Sequence, residues 1–299
     1  MELVIRDLSK RYENGVQALD RVSLTIGPGM FGLLGPNGAG KSTLMRTLAT
    51  LQEADGGSAM LDDIDVLREK DRVRRLLGYL PQEFGVYPKV TAQEMLDHFA
   101  RLKGIADSRE RKRVVDALLE RTNLAAVRKQ KLGGFSGGMR QRFGIAQALI
   151  ANPRLVIVDE PTAGLDPEER VRFHNLLADI GREVIVILST HIVDDVADLC
   201  PRFAVIHKGR VLLEGEPGAA VARLKGRMWR RVVERDELGS LQSTLPIVSS
   251  RLQAGRTVVR AYSEGAPGAG FEAVPPELED VYFTAVAGRL EPVRAAAEA

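Results

Sequence analysis

The chain is nearly devoid of cysteine: Cys200 is the only one in 299 residues. An internal disulfide framework is excluded, and the thiol count suits a reducing cytosol. Long apolar runs are also missing. None approaches the ~20 residues a helix needs to cross a bilayer, so a membrane-spanning part would have to come from another chain. Charge of neither sign dominates. Lys and Arg number 42 against 40 Asp and Glu, a net +2, which argues against a dedicated nucleic-acid binder. No secretory leader is expected, because Glu2, Arg6 and Asp7 interrupt the start. With 44% hydrophobic residues the chain can still bury a sizeable core, as one large domain or two.

What is present centres on Gly35-Pro36-Asn37-Gly38-Ala39-Gly40-Lys41-Ser42-Thr43. This reads as G-x-x-x-x-G-K-[ST], the phosphate-binding P-loop. The apolar run Phe31 to Leu34 precedes it and a helical pattern, Thr43 to Leu48, follows. Glycines let successive N–H groups turn inward onto phosphate oxygens, and the helix N-terminus adds partial positive charge. Lys41 is expected at the β- and γ-phosphates, with the Ser42 hydroxyl on Mg²⁺. The motif alone leaves a kinase, a GTPase, a motor and a transporter ATPase open.

Ahead of it, Leu3-Val4-Ile5 and Val22 to Ile26 read as strands, with Asn14-Gly15 as a hairpin turn. Tyr12, just before the turn, is suited to stack on adenine or to pack within the hairpin. Beyond it, Gly78 to Gln82 ends a strand and opens a loop. Gln82 can accept Mg²⁺ or orient a water there, or serve as an ordinary loop residue. Thr91-Ala92-Gln93-Glu94 is a capping box, and Met95, Leu96, Phe99 and Leu102 recur at helical spacing until Gly104. Ser108 is expected to cap a second helix, whose Arg109, Glu110, Arg111, Lys112 and Arg113 read as a solvated face. These helices have no strand between them and look like an insertion into an α/β domain. Phe135-Ser136-Gly137-Gly138-Met139 opens another helix with a hydroxyl and bare N–H groups, either a second anion site or a plain cap.

Leu155 to Val158 is a continuous apolar run, as expected of a strand buried on both faces of a parallel sheet. Asp159 at its end is placed to hold Mg²⁺ through water, and Glu160 to act as general base on an attacking water. The alternative is a solvated charge pair. Ala163-Gly164-Leu165-Asp166-Pro167 leads into a helix with apolar Val171, Phe173, Leu176, Leu177 and Ile180. A further buried strand, Val184 to Leu188, ends at Ser189-Thr190-His191. Ligands of parallel sheets sit beyond the carboxyl ends of the strands, which puts His191 on the edge of the P-loop and Asp159. Phe203 to Ile206 and Val211 to Leu213 read as a closing hairpin. From about Glu216 Gly, Ala and Pro rise. Trp229 to Val233 and Thr257 to Tyr262 look like strands of a small β-rich unit, and Pro275-Pro276 leads into a last amphipathic helix. Ala295 to Ala299 is expected to fray.

In this order the motifs resemble the ATP-binding cassette (ABC) ATPases over residues 1 to about 215. Walker A is Gly35 to Thr43, the Q-loop is at Gln82, and the signature is Phe135 to Met139. Walker B is Leu155 to Asp159 followed by Glu160, the D-loop is Ala163 to Asp166, and the switch histidine is His191. Tyr12 stands where the family has its adenine-stacking aromatic. The resemblance implies an α/β P-loop cassette with a mixed sheet, an antiparallel β subdomain, a helical subdomain at about 90–150 and a small C-terminal α+β extension at 216–299. It implies a head-to-tail homodimer sandwiching two ATP molecules with Mg²⁺. Ser136, Gly137, Gly138 and Asp166 of one copy then complete the site of the other, with Glu160 as hydrolytic base and His191 and Gln82 assisting. The cassette would energise a separate transmembrane permease from the cytoplasmic face of the membrane, with no nucleic-acid partner. Phe135 and Met139 depart from the commonest signature, Leu-Ser-Gly-Gly-Gln. Together with Leu278-Glu279-Asp280-Val281-Tyr282 they resemble the branch of ABC-2 type exporters. The rival is a soluble ABC ATPase of repair, chromosome or ribosome work. No long coiled coil and no second cassette, which such proteins carry, is found in the sequence.

Overall fold

The computed structural model describes residues 1–290 except Ala163, Glu183 and Arg235. The frayed end expected at Ala295 to Ala299 lies outside the described residues. So does Ala163 of the D-loop.

The chain opens with β1 (Leu3–Arg11) and β2 (Gln17–Ile26), joined by the turn at Asn14-Gly15. Then come β3 (Gly29–Leu34), α1 (Lys41–Leu48), β4 (Gly56–Leu61) and β5 (Ile64–Asp65). β2, β1, β4 and β5 form an antiparallel sheet in that order. After α2 (Lys70–Leu76) and β6 (Leu77–Leu80) the helices α3 (Ala92–Leu102), α4 (Ser108–Arg121) and α5 (Gly137–Ala148) form the expected insertion. β7 (Leu155–Asp159), α6 (Pro167–Ile180), β8 (Ile185–Thr190), α7 (Val193–Leu199), β9 (Arg202–His207) and β10 (Arg210–Gly215) complete the central sheet. Its order is β10-β9-β3-β8-β7-β6, parallel throughout except for the antiparallel edge β10.

The central strands are apolar on both faces because each face feeds a different core. Phe31 and Leu33, Leu155 and Ile157, and Ile185 and Ile187 point into the core shared with the antiparallel sheet and α1. Met30 and Leu34, Val156 and Val158, and Val186 and Leu188 point into the core shared with α3 to α6. Each such side chain, fully buried, contributes about 1.5–3 kcal/mol. The two cores grip the sheet from opposite sides and fix its carboxyl edge.

Two expectations for the helical insertion are corrected. Asp107, not Ser108, caps α4: its carboxylate accepts the Glu110 N–H at 2.8 Å, and Ser108 is already helical. Arg111 is not on a solvated face. It is buried, and it donates to Asp97 at 2.9 Å and to the Ala106 carbonyl at 2.6 Å. Leu102, though in phase with the buried Met95 and Leu96, is 70% exposed at the end of α3. The Thr91–Glu94 capping box is present in both directions.

Beyond β10 lie α8 (Pro217–Ala222), β11 (Met228–Val233), α9 (Glu237–Thr244), β12 (Ile247–Gln253), β13 (Arg256–Tyr262), β14 (Glu272–Ala273) and α10 (Leu278–Val286). These strands make an antiparallel sheet of their own, in the order β12-β13-β11-β14. α10 is bolted to it by a buried bidentate pair, Arg260 to Asp280 at 2.7 and 2.6 Å. The same helix packs against α7 and α8, which joins this sheet to the rest of the chain.

Candidate nucleotide site

The P-loop occupies the turn between β3 and α1, at the carboxyl end of the central strand. Gly40 has φ 108°, and a Cβ there would run into the Ala18 carbonyl oxygen, so only glycine fits. The turn is pinned from the side by β9–β10: the Gly209 N–H donates to the Ala39 carbonyl at 2.9 Å, and the Asp20 N–H to the Gly209 carbonyl at 2.8 Å. Asn37, Gly38 and Ser42 are exposed, whereas Lys41 is buried.

Lys41 folds back over the loop. Its Nζ donates to the Gly35 carbonyl at 2.6 Å and lies 3.3 Å from Glu160 Oε1. The other carboxylate oxygen of Glu160 is 2.5 Å from His191 Nδ1. A carboxylate only accepts, so the imidazole proton sits on Nδ1. The Glu160 carboxylate is 6% exposed, while His191 is 49% exposed. Glu160 is itself in the left-handed region, φ 50°, an uncommon backbone for a non-glycine residue, and its N–H donates to the Ser189 carbonyl at 2.8 Å. β7 and β8 thus deliver Glu160 and His191 side by side because the strands pair in register, Asp159 opposite Ser189.

Asp159 is buried, and its Oδ1 has no hydrogen-bond partner among the described residues. Burial pushes the Asp159 carboxyl above its ordinary range, while the Ser189 and Ser42 hydroxyls pull it down. An orphaned carboxylate oxygen near a serine hydroxyl is a donor set that fits a small hard cation. Among the described residues no group of three or more His, Cys, Asp or Glu is placed to hold a metal ion.

Tyr12 joins this site through its hydroxyl, 3.1 Å from Thr43 Oγ1. The structure therefore brings together Tyr12, the P-loop from Gly35 to Thr43, Asp159, Glu160 and His191. It does not bring in the others. Gln82 is exposed in the loop after β6, and no hydrogen bond among the described residues ties it to the P-loop. Ser136 and Asp166 are exposed at the starts of α5 and α6, each capping its own helix: Ser136 accepts from the Met139 N–H at 3.2 Å and Asp166 from the Glu169 N–H at 2.9 Å. The two helix starts are fastened to each other. Arg142 pairs with Glu169, and a Cβ on Gly138 would collide with that same Glu169 carboxylate. Ser136, Gly137 and Asp166 thus form one exposed surface of the chain.

One residue of the site escapes a motif reading. Asp195 on α7 is fully buried and takes four side chains: Thr162 at 2.6 Å, His174 at 2.8 Å, Arg170 at 2.7 Å and Thr190 at 3.4 Å. It ties the loop after Glu160, the helix begun by Asp166 and the residue before His191. The signal was its spacing, four residues after His191, but a lone acid on a short helix suggests a solvated face.

The family model described as ABC transporter matches residues 19–163. The chain is 40% identical over 223 residues to a daunorubicin/doxorubicin resistance ATP-binding protein from Streptomyces peucetius, covering 73% of this chain and 66% of that one. The chain thus spans just under two thirds of that relative's length. It is 37% identical to the ABC transporter ATP-binding protein NatA of Bacillus subtilis, over 71% of this chain and 89% of the relative. Among solved structures, a dimeric ATP-binding cassette in a post-hydrolysis state with ADP and Pi superposes with a TM-score of 0.65. It is 26% identical, covering 72% of this chain and 98% of the other.

Proposed function

The chain belongs to the ABC transporter family as one of its ATP-binding cassettes, and on that premise we propose that it hydrolyses ATP to drive an ABC-2 type exporter. The observation that carries this is Glu160, held between His191 at 2.5 Å and Lys41 at 3.3 Å at the carboxyl edge of the sheet. In the proposed reaction a water attacks the γ-phosphorus as its proton passes to the Glu160 carboxylate. The bond to the β–γ bridging oxygen breaks. Lys41 holds the β- and γ-oxygens with its ammonium, beside the Glu160 carboxylate that acts as base. His191 holds Glu160 and steadies the γ-phosphate. Ser42 and Asp159 would hold Mg²⁺, which neutralises phosphate charge when bound.

The exposed surface of Ser136, Gly137 and Asp166, with Gly138 buried behind it against Glu169, is read as the half-site offered to a second copy, so that two chains enclose two nucleotides. Among the described residues Ser136 and Asp166 each cap their own helix and make no hydrogen bond to the P-loop, which supports that reading. Gln82 is read as the exposed relay to a separate permease. Among the described residues no helix is long and apolar enough to cross a membrane; from the likeness to ATP-binding proteins of transporters the proposed place is peripheral, on the cytoplasmic face. Residues 1–215 are read as the cassette, and 216–299 as an accessory unit with its own sheet.

Mild-detergent co-purification of the tagged chain from native membranes, with mass spectrometry, tests the role. A multi-span membrane protein in stoichiometric amount is expected. Recovery with ribosomes, DNA or nothing would move the chain to a non-transport ABC role.

A further inference from the structure

Tyr12 is held at both ends. Its main chain is fixed by the turn, with its N–H donating to the Val16 carbonyl and its carbonyl accepting from Gly15, both at 2.9 Å. Its hydroxyl has a second partner besides Thr43, the Gln52 Oε1 at 3.0 Å. An amide oxygen only accepts, so the phenol proton points at Gln52 and the Thr43 hydroxyl proton points at the phenol oxygen. Gln52 Nε2 lies 3.5 Å from Thr47 Oγ1, and the Thr47 hydroxyl donates to the Thr43 carbonyl at 2.9 Å. The donors run in one direction round a loop, Thr43 to Tyr12 to Gln52 to Thr47 and back to Thr43. Bonds aligned in this way polarise one another. Gln52 lies just beyond α1, where nothing in a P-loop motif calls for an amide.

We propose that Gln52 is a positioning residue for nucleobase recognition: through the phenol hydroxyl it locks the Tyr12 ring beside the first turn of α1, ready for a base to stack. The inference rests on the reading of Tyr12 as the base-stacking aromatic. The ring is 37% exposed, so without the tether its side-chain torsions are free in the empty protein and must be ordered when the base arrives. With the tether that ordering is already done. The ligand class is a nucleoside triphosphate, and Gln52 governs only the part of its affinity that the base supplies. Phosphate binding belongs to the P-loop, whereas the hydrogen bonds of Gln52 go to Tyr12 and Thr47.

The test compares dissociation constants of the full chain for ATP and for inorganic tripolyphosphate, which has no base. The variants are Gln52→Leu, Gln52→Glu, Tyr12→Phe and Tyr12→Ala, with melting temperatures confirming folding. Gln52→Leu and Tyr12→Phe are each expected to weaken ATP about three- to tenfold, the size of one hydrogen bond, with tripolyphosphate changing less than twofold. Gln52→Glu, which keeps the acceptor, restores ATP affinity. Combining Gln52→Leu with Tyr12→Phe costs no more than either alone. Unchanged ATP affinity in Gln52→Leu overturns the proposal, as does an equal loss for ATP and tripolyphosphate, which would mean that Gln52 acts on the P-loop helix. Tyr12→Ala separates the two readings. If it leaves the ratio of the two ligands unchanged, Tyr12 is not the stacking residue. If it lowers the ratio while Gln52→Leu does not, stacking stands and the tether falls.

Discussion

Lys41 Nζ and Glu160 Oε1 lie 3.3 Å apart, both side chains within 6% of full burial. The cation expected on the nucleotide phosphates thus stands within ion-pair distance of the expected base. Removing Lys41 takes away a charged hydrogen bond to phosphate, worth about 1.5–3 kcal/mol. Lys41→Ala is expected to weaken ATP binding by about 10- to 100-fold. Equilibrium titration with a fluorescent ATP analogue measures it, and an unaltered affinity would remove Lys41 from the phosphate site.

Glu160→Gln keeps the shape and loses the proton acceptor. ATP binding is expected to hold while turnover falls by on the order of 10²–10⁴. Steady-state phosphate release reads the effect, and near-normal turnover would rule Glu160 out as the base.

Ser136→Ala removes both the surface hydroxyl and the cap on the Met139 N–H. Loss of the cap costs about 1 kcal/mol, visible as a lower melting temperature. Hydrolysis should slow while the ATP affinity of the isolated monomer stays nearly constant. A large loss of monomer affinity would contradict a site shared between two copies.

Asp195→Ala leaves Arg170 and His174 without the carboxylate they share. Breaking a buried ion pair on one side costs about 3–5 kcal/mol, so a pronounced fall in denaturant midpoint is expected. In Asp195→Asn, which keeps the volume, turnover should drop more than ATP affinity, because Thr162 and Thr190 flank Glu160 and His191. Equal losses in both would assign Asp195 to stability alone.

Glu214 on β10 is buried, with Arg202 Nη2 at 3.2 Å. Burial raises its carboxyl above the ordinary 4.5, and Arg202 only partly opposes this. Folding therefore favours the protonated form. The stability it contributes is complete below pH 4.5 and is lost as pH rises through the raised value. Glu214→Gln should then melt higher than the natural chain at pH 7, by roughly 1–3 °C. The gap should narrow toward pH 4.5. Melting curves across that range test it, and a gap that widens in acid would reverse the sign.

Much of this was written locally. The P-loop glycines, the apolar run Leu155 to Val158 and the Thr91–Glu94 capping box are fixed by neighbours a few residues apart, so periodicity and turn chemistry expose them. Arg111 was misread because its partners, Asp97 and the carbonyls of Ile105 and Ala106, meet it only when α3 and α4 fold together.

The sequence by itself determined the residue types of the site and the order in which the chain supplies them, because phosphate cradling, acid–base chemistry and helix capping each need particular groups at short spacing. Only the tertiary structure decided which of those groups meet. Parallel pairing of β7 with β8 sets Glu160 against His191, 31 residues apart in sequence, and the Arg142–Glu169 pair fastens together the helix starts that expose Ser136 and Asp166. It also gathered Asp195 and Gln52, whose roles depend on partners that no local pattern specifies. Hydrogen bonds and ion pairs act over a few ångströms, and those distances exist only once the sheet has closed.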